Sequence, residues 1–76
     1  MSDLGPAVKL EIIGVEREQL LAERYHLELK ARVAKRIGND SKPFEEGLLK
    51  IEAALDELAA IEREVTQAAS EPASRS

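Results

Sequence analysis

A run of turn-forming residues near the middle of the chain separates two segments of similar length. Residues 38–43 read Gly-Asn-Asp-Ser-Lys-Pro, which combines turn formers, N-cap candidates and a proline. On either side, roughly over 7–37 and 43–69, apolar residues recur with the period of an α-helix. The sequence therefore predicts helix 1 over about 7–37, a turn over 38–42 and helix 2 over about 43–69.

Helix 2 is predicted to have one apolar face. Its apolar residues recur at alternating spacings of four and three, interrupted only by Glu62: Phe44, Leu48, Ile51, Leu55, Leu58 and Val65, broadened by Ala54, Ile61 and Ala68. Polar residues occupy the opposite face: Glu45, Glu52, Asp56, Arg63 and Gln67. Asp40 or Ser41 can accept hydrogen bonds from the first turn, and Pro43 suits a helix start. This pattern is typical of a helix that packs against one neighbour.

Helix 1 is predicted to have two apolar faces. The first stripe is formed by Leu10, Ile13, Leu20, Leu27, Ala31 and Ala34, with Arg17 and Arg24 inside it. The second stripe is formed by Val8, Ile12, Val15, Ala22, Leu29 and Val33, interrupted by Gln19 and His26. A helix with two stripes usually packs against two or more neighbours. Helix 2 can cover only one of them.

The start of helix 1 also allows a different interpretation. Residues 8–12 alternate apolar and polar side chains and Gly14 follows, as in a short edge strand. We prefer a helix, because an antiparallel partner that matches the length of helix 2 must reach back to about Leu10.

The length and composition of the chain limit how it can be stabilised. A chain of 76 residues is near the size at which one core rarely gives more than about 3–5 kcal/mol. Cysteine is absent and there is one histidine, so we expect no disulfide, metal or cofactor. We predict an all-α protein: a two-helix antiparallel hairpin, coiled-coil-like, that completes a four-helix bundle by dimerisation. Residues 1–6 and 70–76 are predicted to be tails, the second disordered.

Charge and hydropathy narrow the predicted location and partners. The net charge is −4, and only residues 30–36 form a basic cluster, so nucleic-acid binding is a secondary alternative, weak and restricted to this cluster. No apolar run of about 20 residues and no signal-peptide pattern is present. We expect a cytoplasmic protein without a membrane segment.

The two arginines of the first stripe have two interpretations. Arg17 and Arg24 could form an anion site inside a bundle, because guanidinium groups bind carboxylates with two hydrogen bonds. Alternatively, their stems pack while their guanidinium groups reach acids such as Glu28 or Glu64. If facing residue numbers in the hairpin sum to about 81, Arg24 lies near residues 56–57, Arg17 near Glu64 and Arg36 near Glu45.

One segment resembles a known enzyme family. Residues 20–24, Leu-Leu-Ala-Glu-Arg, with Lys35 eleven residues after the arginine, resemble part of the first helix of the all-helical chorismate mutases. The resemblance implies that Arg24 and Lys35 would bind an anionic substrate in a helical dimer. The second-helix Asp-x-x-Arg-Glu pattern of that family is missing, since residues 44–48 read Phe-Glu-Glu-Gly-Leu. A small chorismate-mutase-like enzyme is therefore kept as an alternative.

The predicted function is that of a non-catalytic interaction module. Helical hairpins of this kind act as adaptors, co-chaperones or subunits of larger assemblies by offering an apolar helix face to a partner helix. The second stripe, with Val8, Ile12, Val15, Ala22, Leu29 and Val33, is the predicted partner-binding surface. The expected partner is a second copy of the chain or another helical protein.

Overall fold

The computed structural model of the protein describes residues 4–70 and consists of two antiparallel α-helices. Helix α1 spans Pro6–Arg36 and helix α2 spans Lys42–Ser70. They pack side by side into a rod of 62 × 19 × 17 Å. The prediction of an all-α hairpin is confirmed. Of the predicted tails, residues 1–3 and 71–76 lie outside the described residues.

The alternating segment at the start of α1 is helical, as we preferred. Residues 8–12 continue without a break into the rest of α1. The side chain of Ile13, one residue further on, is buried against α2. Packing on the partner helix therefore outweighs the strand-like local pattern and the weak helix propensity of Gly14.

Helix α1 ends in a Schellman motif. The N–H of Asn39 donates to the carbonyl of Ala34 at 2.7 Å, and the N–H of Gly38 donates to the carbonyl of Lys35 at 3.3 Å. Gly38 has a φ of 84°, in the left-handed region that favours glycine. Helix α2 then begins at Lys42, with the Ser41 carbonyl accepting its first hydrogen bonds, and just before it the Asp40 carboxylate accepts from the N–H of Lys42 at 3.0 Å, as in an Asx turn.

The small core lies between the first stripe and the apolar face of α2. Four of the described side chains are buried: Ile13, Ala31, Ala34 and Ile51. The other first-stripe residues are half-buried, including Arg17 and Arg24. A Cβ built on Gly47 would lie 3.0 Å from Cδ1 of Leu27, so the two helices approach closely there. The predicted face of α2 is half-buried or buried from Phe44 to Val65, whereas Ala68 is exposed.

The register between the helices differs from the predicted one. Arg24 pairs with Glu52 rather than with residues 56–57, and Arg17 pairs with Glu62 rather than Glu64. Lys35, not Arg36, pairs with Glu45. The reason is the turn: the Schellman motif folds the chain back along α1 before α2 begins. The numbers of two facing residues therefore sum to less than the predicted value of about 81, as the contact of residue 27 with residue 47 illustrates.

Charged and polar side chains join the two helices at the turn. The Ser41 hydroxyl donates to the Glu45 carboxylate at 2.8 Å, and the Lys35 ammonium lies 3.3 Å from the same oxygen. The hydrogen bond from Ser41, followed by the hydrogen bond and charge of Lys35, lowers the pKa of Glu45 below its ordinary value of 4.5. The ionised form of Glu45 therefore supports the start of α2.

This arrangement predicts the titration of Glu45. Because its pKa is lower in the folded chain, its contribution to stability is present above pH 4.5 and is lost as the pH falls through the lowered value. An NMR titration of the Glu45 carboxyl carbon should give a midpoint below 4.5, and Ser41→Ala should raise that midpoint. A midpoint that Ser41→Ala leaves unchanged would show that the hydroxyl does not act on this carboxylate.

Candidate interaction face

The second stripe of α1 is exposed along its whole length. The exposed fraction is 52% for Ile12, 57% for Val15 and 57% for Val33. Val8, Ala22 and Leu29 are exposed as well. The structure therefore places all six predicted partner-binding residues on one continuous surface of α1 that α2 does not cover.

The second stripe lies on the far side of α1 from α2. Successive residues in an α-helix are rotated by about 100°, which puts the centre of the second stripe roughly 150° around the helix from the centre of the first. Val15 and Ile13, or Val33 and Ala31, illustrate the difference, since one member of each pair is exposed and the other buried. A small rotation of α1 cannot bury both stripes against α2.

Two shallow grooves deepen the C-terminal part of this surface. The larger, of about 620 Å³, is lined by Leu29, Arg32, Val33, Lys35 and Arg36. The second, of about 390 Å³, is lined by Leu29 and Val33 of the predicted surface and by residues outside it, among them Ile37 and Phe44. The grooves share Leu29 and Val33. Both are lined by aliphatic and cationic side chains.

Sequence reasoning missed the contribution of Ile37 and Phe44 to this surface. Ile37 follows Val33 by four residues, and this spacing could have extended the second stripe to the end of α1. Phe44 was assigned wholly to the contact of α2 with α1. In the structure it is half-buried and also lines the groove.

The three predicted anion-binding cations each lie against carboxylates of the same chain. Arg17 donates to Glu62 at 2.5 Å. Arg24 lies 3.6 Å from Glu52 and 4.0 Å from Glu28, the latter as predicted. Lys35 is paired with a glutamate at the turn. Arg24 and Lys35 are roughly 16 Å apart along α1, from a rise of about 1.5 Å per residue, so they do not converge on one small anion.

The remaining cations of the basic cluster border the second stripe. Lys30, Arg32 and Arg36 are exposed, and none of them forms an ion pair among residues 4–70. His26 is exposed and lines the smaller groove. The C-terminal end of the surface is therefore apolar in the centre and positive at its edges.

Within residues 4–70, neither helix contains a stretch that is both long and apolar enough to cross a lipid bilayer. In comparisons with known proteins, no family model, no curated protein and no solved structure matches the chain.

Proposed function

We propose that the protein is a non-catalytic helical interaction module that docks a partner helix on the second stripe of α1. The supporting observation is a row of exposed aliphatic side chains along the far side of α1, beside a core of only four buried residues among those described. Exposed apolar patches of this kind often mark interaction sites.

The energetics favour a docked partner. Full burial of a Val, Leu or Ile side chain is worth about 1.5–3 kcal/mol. Covering the five half-exposed aliphatic residues of the second stripe would then contribute on the order of 5 kcal/mol, before the entropic cost of association. This gain is comparable to the entire stability of a core of this size, about 3–5 kcal/mol.

The position of the surface favours an open layer over a closed bundle. In a square four-helix bundle, each helix contacts its two neighbours on faces about 90° apart. The two stripes of α1 are separated by roughly 150°. A helix seated on the second stripe therefore makes α1 the middle of a row, with α2 on one side and the partner on the other.

The two alternative functions lack comparable support. A chorismate-mutase-like site needs Arg24 and Lys35 to be free for substrate, whereas both are paired with glutamates of α2. Nucleic-acid binding would rest on Lys30, Arg32 and Arg36, which flank an apolar surface, and no aromatic residue for base stacking is interleaved within residues 30–36. The apolar surface is the dominant feature of this end of α1.

The test is a charged substitution in the second stripe. Leu29→Glu should lower the molar mass measured by light scattering over a tenfold concentration range, because a carboxylate in the docked face would be desolvated. Leu49→Glu is the matched control, since Leu49 is exposed on α2, outside the stripe. It should keep the wild-type molar mass.

Circular dichroism should show that the Leu29→Glu chain keeps its helices, because Leu29 lies outside the core between α1 and α2. A Leu29→Glu chain with the wild-type molar mass would contradict docking through the second stripe.

A further inference from the structure

Opposite charges flank the two halves of the second stripe. The N-terminal half is bordered by Glu11, Glu16 and Glu18, with one cation, Lys9. The C-terminal half is bordered by three cations, Lys30, Arg32 and Arg36, with one acid, Glu23. All eight side chains are exposed. The surface is thus acidic at one end and basic at the other.

The intervals between the residues of the second stripe follow in the same order from either end of the stripe. Val8, Ile12 and Val15 follow at intervals of four and three, and so do Val33, Leu29 and His26 when read backwards. Two copies of α1 in antiparallel orientation would therefore place Val8 on Val33 and Ile12 on Leu29. The acidic half of each copy would face the basic half of the other.

We infer that the occupant of the second stripe is a second copy of this chain, with the two α1 helices antiparallel and related by a twofold axis between residues 20 and 21. The inference rests on the proposed docking function and names its partner. Such an interface is isologous, so each contact occurs twice. In this register Gln19 lies opposite Ala22 near the axis, and Val15 lies opposite His26.

A parallel pair would be less favourable because of its charges. In a parallel pair of α1 helices, the positions that flank the second stripe on the two copies lie beside each other. Glu11 would then lie beside Glu16 of the other copy, and Glu18 beside Glu23 of the other copy. The two acidic halves would then lie side by side, as would the two basic halves.

The antiparallel pair brings Glu11 beside Arg32 on one flank. On the other flank, Glu16 comes near Glu23 and Lys9 near Lys30. These positions are exposed, where like charges cost only a few tenths of a kcal/mol. The antiparallel pair thus has as many like-charge contacts as the parallel pair, and it alone adds two contacts between Glu11 and Arg32, which favour the antiparallel orientation.

Cysteine cross-linking can determine the orientation directly, since the chain has no cysteine of its own. Val8→Cys and Val33→Cys variants, one with a mass tag, are oxidised alone and as an equimolar mixture that has been unfolded and refolded together. In the antiparallel dimer, residue 8 of one copy faces residue 33 of the other, while like positions lie roughly 37 Å apart. A disulfide needs Cα atoms within about 7 Å.

We expect the mixed disulfide in the mixture and no disulfide-linked dimer from either variant alone. Dimers of Val8→Cys alone, or of Val33→Cys alone, would overturn the antiparallel orientation and leave the docking function intact. Absence of any disulfide would overturn the antiparallel pair of two copies in this register. If the molar mass still falls on Leu29→Glu, copies dock through the second stripe in another arrangement and the docking function stands; if it does not fall, both proposals fail.

A charge exchange gives a second measurement that does not depend on cysteines. Arg32→Glu should weaken dimerisation by about three- to tenfold, because two exposed ion pairs with Glu11 become repulsive. The double variant Glu11→Arg/Arg32→Glu should restore the wild-type dissociation constant. Failure of the second substitution to rescue the first would contradict the pairing of these two positions.

Discussion

Replacement of Ile51 by alanine should lower the free energy of unfolding by about 2–4 kcal/mol, the usual loss when a buried Ile is truncated. The side chain of Ile51 is only 7% exposed and lies in the small core between α2 and α1. A core of this size seldom provides more than about 3–5 kcal/mol. The variant should therefore be largely unfolded under mild denaturing conditions, as measured by urea titration of the helical circular dichroism signal.

The control for this substitution is Leu49→Ala, two residues away on the same helix. The Leu49 side chain is 71% exposed, so its truncation should change the free energy of unfolding by no more than about 0.5 kcal/mol. Both variants must be compared with the wild type at the same protein concentration, because dimerisation would make stability concentration-dependent. Equal losses in the two variants would contradict the position of the core.

The hairpin could be predicted from the sequence because its apolar periodicity, its turn residues and its helix-end residues all indicate the same fold. The single stripe of α2 requires one neighbour, and residues 38–43 allow the chain to reverse. Gly38 ends α1 in the left-handed conformation and Asp40 forms a side-chain turn just before α2, both as their residue types favour. Where local patterns conflicted, over residues 8–12, the helix is found because an antiparallel partner of this length needs it.

The register was not predictable from the sequence, because it depends on how the turn closes. The predicted register assumed that the last residue of α1 lies opposite the first residue of α2. The Schellman motif instead returns the chain beside α1 before Lys42, and the last turn of α1 extends past the start of α2. Ile37 is consequently 63% exposed, and Arg24 reaches Glu52 rather than residues 56–57.

The candidate surface was only partly predictable for a related reason. The two stripes on α1 indicated that one of them faces away from α2, and the second stripe, which was predicted to be that surface, is the exposed one. The smaller groove near the turn is lined in part by Ile37 and Phe44, whose exposure follows from the same offset of the two helices. Periodicity gives the faces of a helix, but the offset between helices requires coordinates.

Two glycines should give stability changes of opposite sign when each is replaced by alanine. Gly38→Ala should lower the free energy of unfolding by about 1–2 kcal/mol, because its φ of 84° is unfavourable for a residue with a Cβ. Gly14→Ala should raise it by about 1 kcal/mol, because alanine has the higher helix propensity and a Cβ there would meet no atom within 4 Å.

Thermal unfolding of both variants under identical conditions should give free energies of unfolding that differ by about 2–3 kcal/mol, because of these backbone effects alone. The pair also tests the arrangement at each site, since neither glycine contributes an apolar side chain. If Gly38→Ala were neutral, the turn would not need the left-handed conformation, and α1 would not end in a Schellman motif. If Gly14→Ala were destabilising, a neighbour not contained in the single hairpin would have to lie against that part of α1, as a second helix docked beside it could.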